Sequence, residues 1–270
     1  MKAQHTFAFL CSLSATLAGT STAQTASARG AADDSGAKPT IVLVHGAFAD
    51  SSSWDGVITS LTAKGYHVIA ASNPLRSLAI DAKEVDDLLK TLPGKVVLVG
   101  HSYGGQVITA ADPSRVKALV YVDGLAPDTG ESAADIGDRF VGSTLGPTLG
   151  PPVPLSDGGK DLYIKQELLP AQFAADVPIA KARLMAVEQR PVTEAALHDK
   201  LQGAPAWKQV PSYSVYGSLD KNITPEALAF MAKRAASRKT VAVPGASHVV
   251  MVSNPQVVAD LIILAAQAKP

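Results

Sequence analysis

From Thr40 onward, short apolar runs alternate with amphipathic segments. Ile41-Val42-Leu43-Val44 is a continuous apolar, mostly β-branched run, the pattern of a strand buried on both faces. Tyr66 to Ala71, Lys95 to Val99 and Val116 to Val122 read as three further strands. Helices are predicted between them, over Ser52 to Lys64, Leu78 to Leu92 and Tyr103 to Ala111. The second carries Leu78, Ala82, Val85, Leu88 and Leu92 on one face. After Gly124 the alternation stops, and residues 125–206 contain no clear buried strand. Leu162 to Leu169 and Ala180 to Glu188 look helical, so this stretch reads as an inserted, mostly helical cap. Thr144-Leu145-Gly146-Pro147 recurs at once as Thr148-Leu149-Gly150-Pro151, which reads as a Gly/Pro-rich loop. Alternation resumes with strands at Ser212 to Tyr216 and Thr240 to Val243. Thr224-Pro225 and Asn254-Pro255 offer a capping residue followed by proline at the first helical position. Six strands alternating with helices predict an α/β fold, a mostly parallel, doubly wound sheet covered on both faces. The core is expected from residues 39–124 and 207–270.

The first 38 residues break this pattern. Lys2 precedes an apolar stretch from Phe7 to Leu17, and Ser21-Thr22-Ala23 offers small residues for cleavage, with Ala26-Ser27-Ala28 as a second option. Residues 1–23 are therefore expected to be a signal peptide and 24–38 a disordered leader, which implies a periplasmic or secreted protein. A buried N-terminal helix or a short membrane anchor is the alternative, but the run is short for a bilayer span, so no stable membrane insertion is expected. The single cysteine, Cys11, lies inside this segment. A mature chain without it has no disulfide, no thiolate metal site and no cysteine nucleophile.

Composition narrows the partners. Hydrophobic residues make up 47% and charged residues 18%, and 24 basic residues balance 24 acidic ones. No basic block points to nucleic acid. A neutral chain suits a small, uncharged, apolar substrate.

The candidate chemistry lies at Gly100-His101-Ser102-Tyr103-Gly104, a G-x-S-x-G motif between a strand and a helix. A serine on such a sharp turn projects its hydroxyl at the C-terminal edge of the sheet, above a helix N-terminus that favours developing negative charge. The hydroxyl needs a base to become a nucleophile. Six histidines are available. His5 falls in the signal segment, His67 within a strand as a core residue, and His101 beside the serine. His198 falls in the cap facing solvent, and His45 follows the first strand in a structural role. His248, in the loop after the last strand, opens on the same sheet edge as Ser102 and is the candidate base. Asp220 and Asp123 both follow strands and both could orient the histidine; the Ser, Asp, His chain order favours Asp220. The backbone N–H of Tyr103 and that of Ala47, with Phe48 one residue away as the alternative, are candidate donors to an oxyanion. Phe48 and Trp54 are candidate pocket residues, with a place in the core the equal alternative for each.

Ile41-Val42-Leu43-Val44-His45-Gly46-Ala47, Gly100-His101-Ser102-Tyr103-Gly104-Gly105 and Gly217-Ser218-Leu219-Asp220 together resemble the α/β-hydrolase superfamily. Within it the chain is similar to small bacterial carboxylesterases, including pyrethroid-hydrolysing esterases, and to the plant methylesterases and hydroxynitrile lyases. The resemblance spans residues 39–268 and is weakest in the cap. It implies an esterase with Ser102, Asp220 and His248 as its triad, Ala47 and Tyr103 as oxyanion donors, no metal or organic cofactor, and a small ester as substrate. Hydroxynitrile lyases carry Thr in place of Gly46 and Lys in place of Val249, so cyanohydrin cleavage is disfavoured. An aspartate nucleophile is excluded by Ser102. The first two strands of larger members have no counterpart before Thr40, which implies a shortened sheet. Lyase or cofactor-free oxygenase chemistry and a slow-turnover ligand receptor are the alternative functions.

Overall fold

The computed structural model describes residues 38–269. Cys11, the expected signal segment and nearly all of the expected leader lie outside the described residues.

Six parallel strands form the central sheet. In chain order they begin with β1 (Ile41–Val44), β2 (Val68–Ala71), β3 (Val96–His101) and β4 (Val116–Val122). Helices α1 (Asp55–Ala63), α2 (Leu78–Thr91) and α3 (Tyr103–Ala110) connect them. Between β4 and the fifth central strand lies an insertion. It holds α4 (Ala133–Arg139), β5 (Val153–Pro154), β6 (Lys160–Leu162), α5 (Leu169–Phe173), α6 (Ile179–Glu188), β7 (Val192–Thr193) and α7 (Glu194–His198). The chain then completes the sheet with β8 (Ser212–Gly217), α8 (Pro225–Arg234) and β9 (Thr240–Val243). It ends with the short α9 (Val250–Ser253) and with α10 (Pro255–Gln267).

The sheet order is β2-β1-β3-β4-β8-β9. The chain steps outward from β1 to β2, returns across β1 to β3, and then continues in the opposite direction. With right-handed crossovers, α1 covers one face, and α2, α3 and α8 the other. The packing agrees: α1 lies against α10, and α2 against α3. The direction reverses between β1 and β3, and loops that leave adjacent strands toward opposite faces open a crevice there. Val44 of β1 pairs with Gly100 of β3, and His101 with Val122 of β4, so these strands end together at that crevice.

β1 and β3 are fully buried along their length, whereas the edge strands β2 and β9 are short and partly exposed. The helix starts have identifiable caps. Ser77 accepts from the Ile80 N–H at 3.2 Å, and Thr224 from the Ala227 N–H at 3.3 Å ahead of Pro225. Asn254 does not act as expected. Pro255 opens α10, but the Asn254 amide donates to Ser253 Oγ instead of capping the helix.

The insertion departs most from expectation. Its strands β5, β6 and β7 form a small antiparallel sheet, and the helix expected over Leu162 to Leu169 is absent. Leu162 and Ile164 are buried while Lys165 is exposed, which is strand alternation across too few residues to stand out. Helix α5 begins only at Leu169, with Pro170 in its first turn, where proline belongs. His67 also differs from expectation: it is exposed, just ahead of β2 rather than in the core.

Candidate active site

The turn from β3 to α3 is shaped by contacts that leave no room for side chains. A Cβ at Gly100 would stand 2.4 Å from the Gly104 carbonyl oxygen, and one at Gly104 would stand 2.5 Å from that of Val44. Helix α3 can therefore start directly on the sheet. Ser102 sits at the apex with φ 52°, in the left-handed region that a side chain rarely adopts. The surroundings hold it there. Its N–H donates to the Val122 carbonyl (3.2 Å), and its own carbonyl accepts from the N–H groups of Gly105 (2.9 Å) and Leu125 (3.0 Å).

The two later loops converge on this turn. His248 Nε2 lies 2.9 Å from Ser102 Oγ, and His248 Nδ1 lies 2.6 Å from Asp220 Oδ2. A carboxylate can only accept, so Nδ1 carries the proton and Nε2 is left to accept from the serine hydroxyl. The other Asp220 oxygen accepts from the backbone N–H groups of Asn222 (2.7 Å) and Ile223 (3.1 Å), which fixes the carboxylate plane. All three side chains are buried.

Asp123 is also buried, but it bonds backbone rather than the His248 ring. Its Oδ1 accepts from Gly217 N–H at 2.7 Å and its Oδ2 from Val250 N–H at 3.2 Å. It thereby ties the end of β8 to the start of α9, the two segments that flank the Asp220 and His248 loops. Burial, and then the nearby Asp220 charge, hold the Asp123 carboxyl well above the usual carboxylate range.

The candidate oxyanion donors separate clearly. Phe48 N–H donates to the Arg190 carbonyl at 3.0 Å and is already used. The N–H groups of Ala47 and Tyr103 have no acceptor among the described residues, and both residues line the cavity beside Ser102. Tyr103 is anchored from below by its phenol, which donates to buried Asp81 at 2.9 Å. Gly46 lets the first loop approach; a Cβ there would stand 2.6 Å from Ser102 Cβ.

The remaining histidines have other surroundings. His45 accepts from Asn73 N–H at 3.2 Å through Nε2 and donates through Nδ1 to the Gly46 carbonyl at 3.0 Å; burial lowers its pKa. His101 is buried beneath the site, donates through Nε2 to the His248 carbonyl at 2.9 Å, and is held well below its ordinary pKa by burial and then by the His248 charge. His198 is exposed at the rim of the cavity.

Above Ser102 the cavity has a volume of about 350 Å³. Its walls come largely from the insertion and are mainly apolar, with Ile136, Phe140, Leu145, Leu149, Phe173 and Leu197 among them. Both leucines of the Thr-Leu-Gly-Pro repeat face it. Phe48 lines it and meets Phe173 edge-on. Trp54 does not. Its indole is fully buried beneath the site against His101, so of the two roles open to it in sequence, pocket or core, it takes the core one. A helix-flanking tryptophan in this position reads the same in sequence whether it faces core or cavity.

A crossover sheet carrying a hydrogen-bonded serine–histidine–carboxylate chain at its switch point defines a class, and the chain belongs to the alpha/beta hydrolase family, which it matches over residues 41–261. Two Arabidopsis thaliana proteins are similar in sequence. Methylesterase 8 is 34% identical over 41% of this chain and 46% of its own length, so this match spans about half of the relative. An alpha-hydroxynitrile lyase is 27% identical over 81% of this chain and 93% of its own. Among solved structures, polyneuridine aldehyde esterase superposes with a TM-score of 0.74 at 16% identity, over 86% of this chain and all of that one, a likeness of fold.

Proposed function

We propose that the protein is a serine hydrolase that cleaves carboxylic esters of small, mainly apolar substrates through an acyl-enzyme. The observation that carries this reading is the continuous bond path from Ser102 Oγ through His248 to Asp220, opening beneath an apolar cavity. His248 Nε2 takes the serine proton as Oγ attacks the acyl carbon, and Asp220 stabilises the imidazolium that forms. The carbonyl oxygen becomes an oxyanion facing the free N–H groups of Ala47 and Tyr103. His248 returns the proton to the leaving alcohol, and water repeats the attack on the acyl-enzyme. The methylesterase relative supports an ester as the bond cleaved. The test is Ser102→Ala. It is expected to remain folded, to lose labelling by a fluorophosphonate, and to lose ester turnover by about a millionfold. Ester turnover retained by folded Ser102→Ala rejects the reading.

The hydroxynitrile lyase relative favours a second reading, cyanohydrin cleavage with His248 as base. Among the described residues the cavity lining contains no lysine or arginine, which leaves His198 and His248 as its basic side chains, and the residue after His248 is buried, apolar Val249. Cyanide release from a cyanohydrin, measured alongside acid release from an ester, separates the two.

A further inference from the structure

The loops carrying Asp220 and His248 have no regular structure of their own. At their bases Leu219 N–H donates to the Ala246 carbonyl at 2.9 Å. At their far ends both meet one short piece of the insertion. Gln172 is buried, and its Nε2 donates to Asn222 Oδ1 at 3.0 Å and to the Lys221 carbonyl at 3.1 Å. Asn222 is the residue whose N–H holds Asp220 Oδ1 at 2.7 Å. Four residues along, Asp176 accepts from the hydroxyl of Ser247, which is buried next to His248. Between them Phe173 stands edge-on to the His248 ring, with centroids 5.0 Å apart, and to His101 and Phe48 at 6.2 and 6.3 Å.

We propose that residues 172–176 form a positioning brace, in which Gln172 and Asp176 hold the loops of Asp220 and His248 in register while Phe173 sets the plane of the imidazole. The proposal rests on the serine-hydrolase reading for its turnover assay. These contacts could simply fasten the insertion to the sheet, but fastening alone does not require one segment to bond both triad loops and to pack on the ring between them. A side chain held within a fraction of an ångström by such neighbours keeps the reacting atoms aligned, and small misplacements cost rate rather than binding.

The Asp176–Ser247 contact is the practical place to test this, because Asp176 is only partly buried. Asp176→Ala and Ser247→Ala should each lower kcat by about ten- to a hundredfold with KM nearly unchanged. Asp176→Asn keeps an acceptor for the Ser247 hydroxyl and should recover most of the loss. The double Ala variant should be no worse than the poorer single one, as for two residues acting through one bond. An independent readout is the downfield proton resonance of His248 Nδ1, which should broaden in both Ala variants and persist in Asp176→Asn. Full kcat in Asp176→Ala, equal losses in Asp176→Ala and Asp176→Asn, or losses that multiply in the double variant would each overturn the brace. If the wild type hydrolyses no ester and yet the resonance broadens in the Ala variants, the hydrolase reading fails and the brace stands. If the wild type is active and both kcat and resonance are unmoved, the brace alone fails.

Discussion

Two buried carboxylates, Asp220 and Asp123, crowd the same sheet edge and differ in what they bond. Asp220 accepts from the His248 ring, so Asp220→Asn should keep the fold and lower turnover by about ten-thousandfold, through loss of the right tautomer and of support for the imidazolium. Asp123 accepts only from backbone, at Gly217 and Val250. In Asp123→Asn the amide nitrogen must face one of those N–H donors, which should destabilise the fold by about 1–3 kcal/mol while turnover persists. The cost should depend on pH. The native Asp123 carboxyl, raised by burial, keeps its proton to higher pH than the same group in the unfolded chain. Its contribution is therefore complete below the unfolded value and fades as pH rises toward the native one. Asparagine has no such titration, so the gap between the two proteins should narrow as pH rises. Urea unfolding of both at several pH values checks this; a gap that widens with pH would show that Asp123 is buried as a charge.

At the scale of elements, the central strands and the helices between them announce themselves by apolar runs, periodicity and caps, and their observed bounds lie within a few residues of the sequence reading. Two substitutions separate an element's stability from its placement of the site. Ser77→Ala removes the cap of α2 and should cost about 1 kcal/mol with turnover unchanged. Gly104→Ala pushes a methyl against the Val44 and His45 carbonyls, so α3 must shift. That should cost about 1–3 kcal/mol and also slow the reaction, because Tyr103 N–H and Ser102 ride on the same turn. Thermal midpoints measured beside kcat distinguish the two. The insertion was less legible. Strands of two or three residues carry no measurable alternation, and α5 starts at Leu169, where the expected helix was to end, with Pro170 in its first turn.

The cavity belongs to the whole molecule. Its walls come from the loop after β1, the turn at Ser102, several parts of the insertion and the loop before α8. Leu149→Ala should therefore re-rank esters of different chain length more than it changes turnover of the smallest one. Trp54→Phe should lower stability and leave that ranking unmoved, since Trp54 lies beneath the site. A panel of alkyl esters assayed on both variants decides the point, and a changed ranking in Trp54→Phe would return that residue to the pocket.

The parallel sheet, the sharp turn at Ser102 and the loop addresses of His248, Asp220 and Asp123 are legible along the chain alone. These depend on short-range rules, namely buried-strand composition, glycines where backbones touch, and the order of strand, turn and helix. Which carboxylate meets the imidazole, whether the Ala47 or the Phe48 N–H is free, and where Trp54 points become clear only in the folded chain. Each of these turns on a few ångströms between residues far apart in the chain. Phe48 N–H, for instance, is taken by Arg190, a partner 142 positions away that no local pattern signals. The same holds for Gln172, Phe173 and Asp176, which acquire their positions against the triad loops only when the insertion folds back over the sheet edge.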